Sequence, residues 1–123
     1  MSKPIRQRVI EGLKKARNFI KPQGAWFQGW FAKDALKVDC SATAPEAVCF
    51  CAAGALGRAF GDDDEKAFDC AVLELERSIY GKKFDPLESL NSGLVIWNDE
   101  KGRTQEEVVR VFDNTIRRLQ RSA

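Results

Sequence analysis

The chain has 123 residues, 44% hydrophobic and 31% charged, with a formal net charge of only +2. This is ordinary globular composition for one domain, long enough to bury roughly two-thirds of its unfolded surface without disulfides or metal. It contains no histidine, which removes the commonest general base and zinc ligand, and the near-balanced charge forces neither a nucleic-acid nor a membrane reading.

Five stretches carry helical periodicity. The first, residues 4–20, puts Ile5, Val9, Leu13, Ala16 and Ile20 on one face. Pro4 suits the first helical position. Gly12 costs about 1 kcal/mol relative to alanine inside a helix, so packing must hold this one together. Pro22, Gln23 and Gly24 end it. In residues 24–42, Trp26/Trp30 and Phe27/Phe31 recur at four-residue spacing, but the glycines and Val38 favour extended chain. An aromatic loop or a short two-stranded ribbon is expected there.

The second helix is expected to open at Thr43-Ala44-Pro45-Glu46, with Thr43 capping and Glu46 reaching back. It would continue through Ala47, Val48, Phe50, Cys51, Gly54 and Ala55 to Ala59, apolar all round and therefore central. The third begins at Asp62-Asp63-Asp64-Glu65, where carboxylates complement the helix dipole, and Gly81 stops it. Its inward residues are Ala67, Ala71, Leu75 and Ile79. The fourth would run from Asp85-Pro86-Leu87-Glu88 to about Trp97. The fifth starts with the box Thr104-Gln105-Glu106-Glu107 and carries the cleanest stripe, Val108, Val111, Phe112, Thr115, Ile116 and Leu119. The expected fold is mainly α: a compact five-helix single domain spanning residues 1–123.

No apolar stretch follows the basic residues 1–6, so no secretory signal is expected. The longest apolar run, residues 47–56, falls well short of the roughly 20 residues a membrane span requires. Cys40, Cys49, Cys51 and Cys70 are then reduced thiols of a cytoplasmic protein. Their spacing matches no paired zinc motif, and on a helix Cys49 and Cys51 would point about 200° apart. Small buried hydrophobes is the better account of them, with no metal and no cofactor expected. Gly54, Gly57 and Gly61 lack the Lys-Ser/Thr ending of a phosphate loop and read as close helix packing followed by a stop.

Residues 97–104 invite comparison with a calcium loop, but Trp97 and Lys101 fall where carboxylates are needed. The segment reads instead as a helix stop at Asn98, a turn and a cap at Thr104. The alternative is a polar site formed by Asn98, Asp99 and Arg103 beside Trp97. Charge is unevenly spread. Residues 1–37 carry nine Lys/Arg and two Asp/Glu, whereas residues 38–76 carry two and nine. Lys3, Arg6, Lys14, Arg17 and Lys21 share one face of the first helix, and Arg110, Arg117 and Arg121 stripe the last. Arg6, Lys14, Arg17, Arg110, Arg117 and Arg121 are the candidate phosphate contacts, although Asp113 and Glu106 stand at pairing distance from Arg117 and Arg110. The aromatic segment 26–31 is core filling or, where exposed, a partner anchor, with Trp26 and Trp30 as its candidate residues.

Gly29-Trp30, the Cys51-x-x-Gly54-Ala55-Leu56 helix and the Trp97-Asn98-Asp99, Arg103-Thr104, Glu107-Val108 hinge together resemble a small bacterial domain family of unknown function. Gln28 and either Trp26 or Trp30 also fit that pattern, which spans nearly the whole chain. The resemblance implies a compact, mainly helical cytoplasmic domain and carries over no activity. The leading functional expectation is a non-catalytic protein-interaction module, with a protein partner or self-association and no membrane. The alternatives are nucleic-acid binding through the basic first and last helices, and a small-molecule or enzymatic site near Trp97, Asn98, Asp99 and Arg103.

Overall fold

A computed structural model describes residues 3–85 and 92–122. Helix α1 spans Ile5–Ile20, followed by three two-residue strands, β1 (Ala32–Lys33), β2 (Asp39–Cys40) and β3 (Cys49–Phe50). Helices α2 (Ala52–Phe60) and α3 (Glu65–Tyr80) come next, then a 3-10 turn at Gly81–Lys83, α4 (Ser92–Asn98) and α5 (Gln105–Arg121). The fold is mainly helical, as the periodicity predicts. The fourth helix's expected start at Pro86-Leu87-Glu88 lies outside the described residues.

The helix ends follow local chemistry. Pro4 sits one residue earlier than expected, at the N-cap of α1, and its carbonyl accepts the Arg8 amide at 3.1 Å. Asp64 caps α3 by accepting the Ala67 amide, and Gly81 (φ 55°) stops it. Thr104 and Glu107 form a reciprocal capping box on α5. One apolar cluster draws residues from all five helices, including Leu13, Leu56, Leu75, Leu94 and Phe112. Gly12 is held by packing: the Phe60 ring occupies the space its Cβ would need.

Residues 43–50 depart from the expectation. Helix α2 starts at Ala52, not near Thr43, and Cys51 is its cap, its Sγ accepting the Gly54 amide at 3.3 Å. The Thr43 hydroxyl pairs with Ser41 instead. The amides of Val48, Phe50 and Cys51 donate to Lys33, Ala25 and Phe31 carbonyls at 2.9, 2.8 and 3.2 Å. These sheet-like bonds to a distant segment outweigh one local cap, and Val48, Cys49 and Phe50 favour extended chain. The expected ribbon is therefore a three-stranded antiparallel sheet of order β2-β1-β3, with Ala32 opposite both Cys40 and Phe50. Cys49 and Cys51 share no helix, so their separation around a helix axis has no bearing on metal binding.

The β1–β2 turn is built by Asp34, whose Oδ1 accepts the amides of Leu36 and Val38 at 2.9 and 3.0 Å. Lys37 adopts a left-handed φ of 65° there, a conformation costly for a non-glycine residue. No helix among the described residues is long and apolar enough to cross a membrane.

Candidate functional site

The segment around Trp97 turns inward. Asn98 ends α4 fully buried, and its Oδ1 accepts both the Trp26 indole N–H (2.7 Å) and the Ala52 amide (3.0 Å). Its Nδ2 donates to Asp99 Oδ1 at 2.9 Å, and that same oxygen accepts the Gly29 amide at 3.1 Å. Gln28 Nε2 reaches the Asn98 and Glu100 carbonyls at 2.9 and 2.8 Å. Arg103 stacks on the Trp97 ring at 4.1 Å, donates to the Trp97 carbonyl, and pairs with Glu100 and Glu107. Trp26, Asn98, Asp99, Trp97 and Arg103 thus form one joint that binds the aromatic segment to the start of α2 and the end of α4. The polar contacts of these groups run to one another and to nearby backbone.

This joint holds the opposite side of the aromatic segment outward. Trp30 and Phe31 are 48% and 44% exposed, and their rings lie 5.5 Å apart. With Cys40, Ala53, Gly54, Gly57, Phe68, Val95 and Ile96 they line an apolar groove of about 930 Å³ between the sheet, α2, α3 and α4. Ile96 is 61% exposed on its rim. Gly54 is required at the floor, because the Phe31 carbonyl fills the position of a Cβ. Of the aromatic pair singled out from sequence, Trp26 belongs to the joint and Trp30 to the groove. Ile96, Phe68 and Val95 are groove residues that sequence reasoning did not single out; isolated apolar residues on two different elements carry no local signal.

Two of the four thiols are held above their ordinary pKa. Burial pushes the Cys51 thiol up, against the opposing hydrogen bond from Gly54, and Asp99 raises it further. Desolvation also raises Cys40, aided by the carboxylates of Glu46, Asp34 and Asp39. Cys49 points its Sγ at the Gly24 carbonyl. Among the described residues no three Cys, Asp or Glu side chains gather as a metal site.

Glu76 is a second buried polar group. Burial raises its carboxyl, although it accepts the Leu94 amide at 2.8 Å in the first turn of α4. Gly93 gives it room, since a Cβ there would lie 2.9 Å from Glu76 Oε2.

Helix α1 packs along α5, and Lys21, just after α1, shares a hollow with Arg110 and Arg117. Arg17 pairs with Asp113 at 2.8 Å and Arg110 with Glu106 at 3.0 Å. Arg117 donates to Asn114 and Arg6 to Ser122. Lys14 and Arg121 are exposed on the same two helices.

Fold and site together define a small, mainly helical protein whose aromatic segment is clasped from behind and open in front. The chain belongs to the family of unknown function DUF6197, whose profile matches residues 4–118. No curated protein and no solved structure matches it.

Proposed function

We propose that this protein is a non-catalytic interaction module whose groove receives a segment of another protein. The observation that carries this reading is the exposure of Trp30, Phe31 and Ile96 around one apolar hollow. Tryptophan-centred anchors dominate interface energies, and a stable fold gains nothing by leaving such side chains in water. The polar cluster at residues 97–103 is committed to holding the joint, and the raised thiols disfavour covalent chemistry. A second copy is the poorer occupant. A two-fold pairing of grooves brings two Asp39 carboxylates into one interface. The exposed large apolar side chains among the described residues lie in residues 30–48 and at Ile96, so α1 and α5 offer no anchor and a head-to-tail pairing has to insert Leu36 and Val38 of the β1–β2 tip. The four free cysteines accord with a cytoplasmic setting.

Peptide display against the folded protein tests this reading, with Ile96→Asp as the counter-screen. Enriched peptides are expected to bind the parent protein and to lose at least about ten-fold on Ile96→Asp, a surface change that leaves the circular dichroism melt in place. Recovery of no binders, or of binders indifferent to Ile96→Asp, overturns the proposal.

A second reading, phosphate binding across α1 and α5, has one observation in its favour: Lys21, Arg110 and Arg117 line one hollow between the two helices. It requires steep salt dependence of DNA or heparin retention and a loss on Arg117→Glu. Unchanged retention removes it.

A further inference from the structure

The groove does not end at its apolar floor. Ser41, Gly57 and Phe68 line it and also line a second hollow of about 490 Å³, whose other walls include Asp62 and Glu65. Asp39 stands on the apolar side of the shared wall. The two hollows therefore adjoin across that wall, one greasy at the Trp30–Ile96 end and the other acidic at the Asp62–Glu65 end. No Lys or Arg is among the described residues lining either part. The Arg58 guanidinium beside the groove is bound to the Ala42 and Ala44 carbonyls at 3.3 and 2.6 Å. Asp39, Asp62 and Glu65 are exposed.

Resting on the interaction-module reading, we infer that the partner segment is basic and amphipathic: apolar anchors for the Trp30–Phe31–Ile96 end, with Lys or Arg running past them toward Asp62 and Glu65. Exposed carboxylates on a rim contribute mainly to encounter rate and to choice of partner, whereas the apolar end contributes most of the affinity. An acidic segment meets Asp39, Asp62 and Glu65 as like charges and is rejected.

The test uses two synthetic 16-residue peptides of one apolar pattern built on Leu, one carrying Lys at every polar position and the other Glu. Neither contains Trp, so a change in the protein's own tryptophan emission, to which exposed Trp30 contributes beside Trp26 and Trp97, reports binding to the whole chain. The Lys peptide is expected to bind at least ten-fold more tightly than the Glu peptide. Its affinity is expected to drop about five- to ten-fold on Asp62→Asn/Glu65→Gln, and to fall with added salt. Equal binding of the two peptides, or preference for the Glu peptide, with Ile96→Asp still abolishing it, overturns the charge assignment and leaves the groove reading standing. Binding of neither peptide, or binding indifferent to Ile96→Asp, overturns both. A concentration-dependent dimer that Ile96→Asp dissociates in sedimentation assigns the groove to a second copy and overturns the inference as well.

Discussion

The indole N–H of Trp26 and the side-chain oxygen of Asn98 meet at 2.7 Å, and that oxygen also takes the first amide of α2, Ala52, at 3.0 Å. One acceptor thus serves two donors from separate parts of the chain. Asn98→Ala leaves both without a partner, and each buried unsatisfied donor costs about 1–3 kcal/mol. We expect a loss of about 2–4 kcal/mol in urea denaturation. Trp26→Phe keeps the ring and removes one donor, at about 1 kcal/mol. The double variant should lose less than the sum, because both changes break the same bond.

Two helical glycines should respond to alanine in opposite directions. At Gly12 the Phe60 ring stands where the methyl must go, so overpacking of about 1–3 kcal/mol exceeds the roughly 1 kcal/mol gained in helix propensity. At Gly57 the new methyl meets only the Ala42 Cβ, at an ordinary 3.6 Å. Gly57→Ala should therefore stabilise by about 0.5–1 kcal/mol. Thermal melts of the two single variants and of Gly12→Ala/Phe60→Leu check this, with the double variant recovering part of the loss.

Glu76 has a defined pH signature. Burial holds its folded-state carboxyl above the ordinary value, so the folded protein prefers it protonated. Its cost is absent below the unfolded carboxyl's pKa, sets in as pH rises from there, and is complete above the raised folded value. Glu76→Gln keeps an oxygen for the Leu94 amide and removes the charge. The variant should melt higher than the parent near pH 7, and the gap should close as pH is lowered through the raised value toward 4.5. Asp64 and Glu107, held below their ordinary values first by Arg8 and by the Thr104 backbone respectively, act in the opposite sense. Both proteins share them, so they cancel in the difference. A gap independent of pH contradicts the assignment.

Element ends whose chemistry is local are legible in the sequence. Asp64, Gly81 and the Thr104–Glu107 box terminate helices through groups within a few residues, and each stands where its residue type predicts. Residues 43–50 are not legible in this way. Thr43 and Glu46 have the spacing of a box, but the bonds that decide this stretch come from Ala25, Phe31 and Lys33. Around the site, the composition of residues 97–103 marks a polar cluster without showing whether it faces solvent or protein. Trp26 and Trp30 are the same residue type four positions apart, and only the position of Asn98 separates the bonded one from the exposed one.

The side-chain Nε2 of Gln105, the first residue of α5, donates to the Ile20 and Pro22 carbonyls at the end of α1, at 2.6 and 2.7 Å. Seven positions upstream, Asn98 is equally pinned. The connection between them is therefore moored at both ends, and its length is fixed as a strut's is. A residue inserted there has to bulge outward or pull one mooring free. The β1–β2 tip, whose turn is tied only to its own Asp34, has room to lengthen without disturbing either anchor.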